Sequence, residues 1–170
     1  MGINIKSTLV VLSIAFLCSG ISSVFAAEES KATFNTESLT PETALKAANA
    51  ALTSCRKQGY QVTVAIVDRA GITQVILRDR FAGSHTPDTA KGKAWTAVSF
   101  RTNTTDIANN EKLRLSLAAL PNVVALGGGK MIEGAGSILG GIGVSGAPGA
   151  SMDDACADVG ISAIEEDILF

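Results

Sequence analysis

Apolar residues recur at helical spacing near the start of the region that we expect to fold, residues 38–170. Thr40 is a candidate N-cap, Pro41 suits the first helical position, and Glu42 suits the positive end of the helix dipole. Gly59 is a residue type that commonly ends a helix. The pattern therefore predicts a helix whose buried face consists of Ala44, Ala48, Leu52 and Cys55.

Two runs rich in β-branched residues follow this helix. They are "YQVTVAIVD" at 60–68 and "TQVILRDR" at 73–80, and "RAGI" separates them. Short strands joined by a tight turn pair antiparallel, so we predict a β-hairpin here.

Helical spacing returns in "HTPDTAKGKAWTAVSF" at 85–100, where Ala90, Ala94, Ala97 and Val98 share one face. We expect Thr86 to cap this helix and Pro87 to occupy its first position. A second, weaker helix is predicted within 104–120, ending before Pro121.

The last third of the chain predicts strands and then a helix. Residues 122–146 indicate three short strands, with turns at 127–129 and 133–136. Residues 150–168 predict a closing helix, with Met152, Cys156, Val159 and Ala163 on its buried face. Because consecutive strands are joined by tight turns, the whole pattern predicts an α+β fold with an antiparallel sheet and helices packed on it.

The first residues have the pattern of an export signal. One lysine precedes the apolar run "TLVVLSIAFL" at 8–17, which is too short to span a bilayer. Val24 and Ala26 then place small residues at the −3 and −1 positions of a cleavage after Ala26. We therefore expect a signal peptide at 1–26, a flexible mature N-terminus at 27–37, and a periplasmic or secreted protein. With 14 basic and 16 acidic residues, the chain lacks the positive charge expected of a protein that binds nucleic acid or an anionic membrane.

Two cysteines, Cys55 and Cys156, lie in the predicted domain. An even number of cysteines in an exported protein permits a disulfide, and two buried thiols are the alternative. The paired acids at 153–154 and 165–166 are interpreted as a first-turn charge and a solvated helix end, with weak cation binding as the alternative.

Most motifs for catalysis are missing. "GIGVSG" at 141–146 matches a dinucleotide fingerprint in form, but no strand is predicted after its helix, so its glycines more simply allow close backbone approach. With no G-x-S-x-G motif, no Cys-x-x-Cys and one histidine, neither a serine hydrolase nor an all-protein zinc site is indicated. That histidine, His85, precedes a helix and is either a metal or haem ligand or a surface residue.

Four segments together resemble the GlcG/HbpS-like haem-binding family. They are "VAIVDRAG" (64–71), "AGSHTPDTAKGKAWTAVSF" (82–100), "LPNVVALGGG" (120–129) and "GGIGVSGAPGASMDDACADVGISAI" (140–164). The resemblance implies a profilin-like fold, homo-oligomers, and a haem-binding role in haem sensing or oxidative-stress protection beside a sensor protein.

The resemblance also implies where haem would be held. His85 becomes the candidate axial ligand, with Lys93 and Arg80 as candidate partners of the propionates, and Gly83 and Thr96 match the family pattern. Other members of the family occur in glycolate or propanediol operons. A hydroxy-acid or cobalamin-related binding protein or enzyme is therefore the first alternative, and a ligand-free accessory subunit the second. Catalysis is the less favoured interpretation, and no catalytic residue is assigned.

Overall fold

The N-terminal β-hairpin forms where the β-branched runs predict it. In the computed structural model, which describes residues 32–169, β1 (Thr63–Asp68) pairs antiparallel with β2 (Thr73–Arg78). Asp68 closes the turn, because its Oδ1 accepts hydrogen bonds from the backbone N–H groups of Ala70 and Ile72, both at 2.8 Å. The predicted signal peptide at 1–26 lies outside the described residues.

A second hairpin completes the sheet. It consists of β3 (Gly129–Gly134) and β4 (Ser137–Ser145), and the strand order is β2-β1-β4-β3 with all neighbours antiparallel. The prediction of three strands in 122–146 is wrong, since residues 123–128 form none. The N–H of Val124 instead donates to the Thr96 hydroxyl at 2.9 Å, so this segment is held against a helix rather than in the sheet.

Helices cover both faces of the sheet. Their bounds are α1 Pro41–Lys57, α2 Thr86–Phe100, α3 Thr104–Asn109, α4 Glu111–Leu117 and α5 Ala150–Ser162, followed by a 3-10 turn at Glu165–Asp167. α1 and α5 pack together against one face, and α2 packs against the other. The predicted α+β class is confirmed, and so are the Thr40 cap and buried face of α1. The single helix expected in 104–120 is two helices, because the chain leaves helical geometry at Asn110, whose side chain caps α4.

The glycines of β4 allow α2 to lie directly on the sheet. A methyl group at Gly143 would overlap the carbonyl oxygen of Ala90, and one at Gly141 would lie 2.9 Å from the carbonyl oxygen of Ala94. Real Cβ atoms do not make such approaches to backbone atoms, so only glycine fits. The interpretation of "GIGVSG" as a close-packing strand is therefore confirmed.

A disulfide between Cys55 and Cys156 joins α1 to α5. The predicted buried face of α5 is wrong apart from Cys156: the side chains of Met152 and Val159 are 36% and 45% exposed. The residues of α5 that face the protein are Asp153, Cys156, Ala157 and Gly160. The error arises because a buried aspartate takes a position that the hydrophobic pattern assigns to solvent. Within residues 32–169, no helix is both long and apolar enough to cross a membrane.

Candidate functional site

His85 occupies the N-cap position of α2, so the prediction that Thr86 is the cap is wrong. The Thr86 side chain is buried, and its hydroxyl is 2.7 Å from both the carbonyl oxygen of Gly83 and the hydroxyl of Thr63 on β1. That hydroxyl therefore joins the helix to the sheet instead of capping it. The His85 side chain makes no capping hydrogen bond, which leaves an exposed imidazole at the start of the helix.

Gly83 provides the surface on which this imidazole lies. A Cβ atom at position 83 would be 2.7 Å from His85 Cε1 and 2.9 Å from Nδ1, but 3.8 Å from Nε2. The ring therefore occupies the space into which a side chain at position 83 would project, with Nδ1 nearer to that space than Nε2. Nε2 is the ring nitrogen that lies further from position 83.

The imidazole stands at the edge of a depression of about 410 Å³, which we call the His85 depression. Three parts of the chain form its walls: the start of α2, the turn before β3, and the loop between β4 and α5. Besides His85, its lining includes Gly83, Thr86, Thr89, Lys93, Leu126, Gly127, Asp153 and residues 145–150. Leu126 is 57% exposed, so the wall opposite the helix presents an apolar side chain to solvent.

A buried ion pair forms the floor of the depression. Lys93 Nζ lies 2.8 Å from Asp153 Oδ2 and donates a second 2.8 Å hydrogen bond to the carbonyl oxygen of Val144. The side chains of Lys93 and Asp153 are only 3% and 5% exposed. Burial raises the pKa of the Asp153 carboxyl, while the hydrogen bond and charge of Lys93 act in the opposite direction. Lys93 is thus a structural cation tying α2 to β4 and α5.

Asp154 holds the glycine-rich turn against α5. Its Oδ1 accepts a 2.7 Å hydrogen bond from the N–H of Gly128, and its Oδ2 accepts one from the Thr105 hydroxyl. The interpretation of residues 153–154 as a first-turn charge is confirmed for Asp153, which lies in the first turn of α5 but is also buried and paired with Lys93. Sequence reasoning missed this residue because Lys93 is separated from it by 60 positions, and no local pattern connects them.

Only some of the residues that the resemblance implies for haem binding lie together in the structure. His85, Gly83 and Lys93 line the same depression, whereas Thr96 and Arg80 do not. Thr96 is buried, and its hydroxyl accepts the hydrogen bond from Val124. Arg80 is exposed on the segment between β2 and α2. Among residues 32–169, no group of three or more histidine, cysteine, aspartate or glutamate side chains is arranged to hold a metal ion.

The chain is similar to a known protein family and to several solved structures. Residues 39–162 match the family model described as "Haem degrading protein HbpS-like". The crystal structure of a double mutant of Streptomyces reticuli HbpS is 32% identical, with 94% of this chain and 99% of that chain covered and a TM-score of 0.75. A second HbpS structure is 38% identical, covering 82% of this chain and 98% of that chain, with a TM-score of 0.74.

A haem complex is also among the similar structures. The PduOC–haem complex is 29% identical to this chain, covers 75% of it and 95% of the other chain, and has a TM-score of 0.69. No curated protein matches the chain. Since the family match spans nearly all of the described helices and strands, the chain belongs to the HbpS-like family.

Proposed function

We propose that this protein binds haem in the His85 depression, with His85 as the axial ligand. The observation that supports this most directly is the exposed imidazole, which neither caps its helix nor pairs with a carboxylate among residues 32–169. Family membership and the haem complex of a similar protein also support haem binding. A bound haem would supply an iron that accepts the histidine nitrogen and undergoes one-electron redox chemistry.

Different residues of the chain would contact different parts of the haem. Nε2 of His85 is the nitrogen we assign as the ligand, because Nδ1 lies closer to position 83. Leu126 offers an apolar surface at the opposite wall. Lys93 is buried, and two of its three N–H groups are committed to Asp153 and Val144. We therefore assign a propionate to Arg80, which is exposed outside the lining of the depression and would meet the propionate beyond its edge.

Hemin titration of the purified, oxidised protein tests this proposal. We expect a saturable shift of the Soret band for the wild type, and for His85→Ala a spectrum without the histidine-ligated form and weaker binding by about tenfold or more. Arg80→Ala should weaken binding moderately, and Arg114→Ala, an exposed arginine on α4, serves as its matched control. Absence of a Soret shift in the wild type refutes haem binding. A full wild-type spectrum in His85→Ala refutes the assigned ligand alone.

We also propose that the protein acts outside the cytoplasm. The signal-like pattern at 1–26 supports export, and so does the Cys55–Cys156 disulfide, because such bonds persist mainly in oxidising compartments. Cell fractionation with mass spectrometry of the mature N-terminus tests this. We expect a periplasmic or secreted form that begins at Ala27, and an uncleaved cytoplasmic chain would contradict the proposal.

We further propose that the protein self-associates. Its proposed role is haem sensing or oxidative-stress protection beside a sensor protein. Several large apolar side chains are exposed on the fold, Ile72 at 65% and Phe81 at 79% among them. Exposed apolar surface of this kind marks protein interaction sites when it is contiguous. Light scattering of the purified protein should give a mass of several chains, whereas a monomer at all concentrations would refute it.

A further inference from the structure

A second cavity lies on the outer side of α2. It has a volume of about 430 Å³, and its walls include Gly71, Trp95, Asn122 and Val124. Asp88 and Lys91, one to two helical turns earlier on α2, stand at the same cavity. We call it the Trp95 cavity. It shares no lining residue with the His85 depression.

The indole of Trp95 is held in place as one wall. The turn at Gly71, where φ is +81°, presses against it, since a Cβ atom there would be 2.6 Å from Trp95 Cδ1. Phe100 packs edge-on against the ring, with the centroids 6.4 Å apart. Held on two sides, the ring is a preformed stacking surface, and aromatic surfaces of this kind bind flat ligands at little entropic cost.

The opposite wall is fixed just as firmly. Val124 rests on Gly92, where an added Cβ atom would be 2.5 Å from Val124 Cγ2, and its N–H donates to Thr96. Asn122 adopts a left-handed conformation with φ of +67°, which turns the chain at this wall. The space between the two walls is therefore a feature of the fold rather than of a loose loop.

Unpaired polar groups line the cavity between these two walls. Within residues 32–169, the side chains of Asp88, Lys91 and Asn122 and the Nε1–H of Trp95 form no hydrogen bond or ion pair to protein. They supply a carboxylate acceptor, an ammonium donor, an amide with both functions and an indole donor. The carboxylate and ammonium charges cancel, so the lining favours an uncharged ligand with both donors and acceptors over a strong anion or cation.

We propose that the Trp95 cavity binds a planar nitrogen heterocycle with N–H and C=O groups on its edge, at a site separate from the His85 depression. The ring stacks on the Trp95 indole, an edge N–H donates to the Asp88 carboxylate, and an edge carbonyl accepts from Lys91 or Asn122. The chemical class includes purine- and pterin-like rings. The inference does not depend on haem binding.

Theophylline is a suitable probe, because caffeine differs from it only by a methyl group in place of its ring N–H. The chain has one tryptophan, so the whole tryptophan fluorescence reports on this cavity. We expect saturable quenching by theophylline with a Kd below about 1 mM, corrected for absorption against a free tryptophan derivative, and binding of caffeine that is about tenfold weaker. Equal affinity for the two compounds, or no saturation, overturns the proposal.

Two variants and a competition experiment locate the binding. Asp88→Asn should reduce the preference for theophylline over caffeine to about threefold or less, whereas Asp106→Asn, an exposed aspartate on α3, should leave it unchanged. His85→Ala should not affect theophylline binding. Equilibrium dialysis with saturating hemin should leave the theophylline Kd unchanged. Displacement by hemin, or the same loss in both aspartate variants, overturns the assignment of a separate site.

Discussion

Replacing Lys93 with methionine should destabilise the protein strongly, because it leaves a buried carboxylate without its cation. The methionine retains most of the side-chain volume but none of the N–H donors. Asp153, 5% exposed, would keep only the 3.0 Å hydrogen bond from the N–H of Ala147, and the carbonyl of Val144 would lose its Lys93 donor. Removing one partner of a buried pair typically costs about 3–5 kcal/mol of unfolding free energy, and we expect a loss in that range.

Urea unfolding under oxidising conditions, followed by circular dichroism, measures this loss. The matched control is Lys46→Met, since its pair with Asp167 is also 2.8 Å long but its side chains are 54% and 42% exposed. Exposed pairs contribute at most about 1 kcal/mol. The double variant Lys93→Met/Asp153→Asn should be more stable than the sum of its single changes predicts, by about 2 kcal/mol. Additive losses, or a Lys93→Met loss no larger than that of the control, would refute the buried-pair argument.

Three further changes test other parts of the fold. The bidentate hydrogen bonds from Arg56 lower the pKa of Asp79 in the folded protein. The ion pair therefore stabilises the fold fully above the unfolded pKa near 3.8, and this stabilisation is lost as the pH falls through the lower folded pKa. Asp79→Asn should remove that part of the acid unfolding curve. Reducing the Cys55–Cys156 disulfide, which spans 101 positions, should lower the free energy of unfolding by about 3–5 kcal/mol, measured by urea unfolding with and without reductant. Gly143→Ala should cost about 3 kcal/mol in the same assay because its methyl group meets α2.

The two substitutions each have a control on the same chain. Asp158→Asn alters an aspartate whose side chain is 57% exposed, so it should leave the acid limb of the unfolding curve nearly unchanged. Gly149→Ala places a methyl group 3.9 Å from the nearest atom and should be tolerated. An acid limb that persists in Asp79→Asn, a reduced protein as stable as the oxidised one, or a Gly143→Ala variant as stable as Gly149→Ala would contradict the corresponding prediction.

Local signals determined most of the secondary structure. The β-branched runs around "RAGI" and the Thr-Pro-Glu start of α1 each act within a few neighbouring residues, and the structure contains the hairpin and the helix that they predict. The family is also readable from sequence, because its motifs are spread over most of the chain. Two predictions failed because a hydroxyl group of another element forms the hydrogen bond. The Thr86 hydroxyl bonds with that of Thr63 on β1 instead of capping α2. The N–H of Val124 donates to the Thr96 hydroxyl on α2 instead of pairing in a strand.

The sequence by itself determined the α+β class, the positions of α1 and the first hairpin, and the choice of His85 as the residue to test. Only the tertiary structure decided that Lys93 is bound to Asp153, that Thr96 holds the segment before β3, and that Cys55 and Cys156 are joined. Each of these contacts connects residues that are 28 or more positions apart. Their energy depends on burial and distance in the folded chain, and a linear pattern of residue types specifies neither.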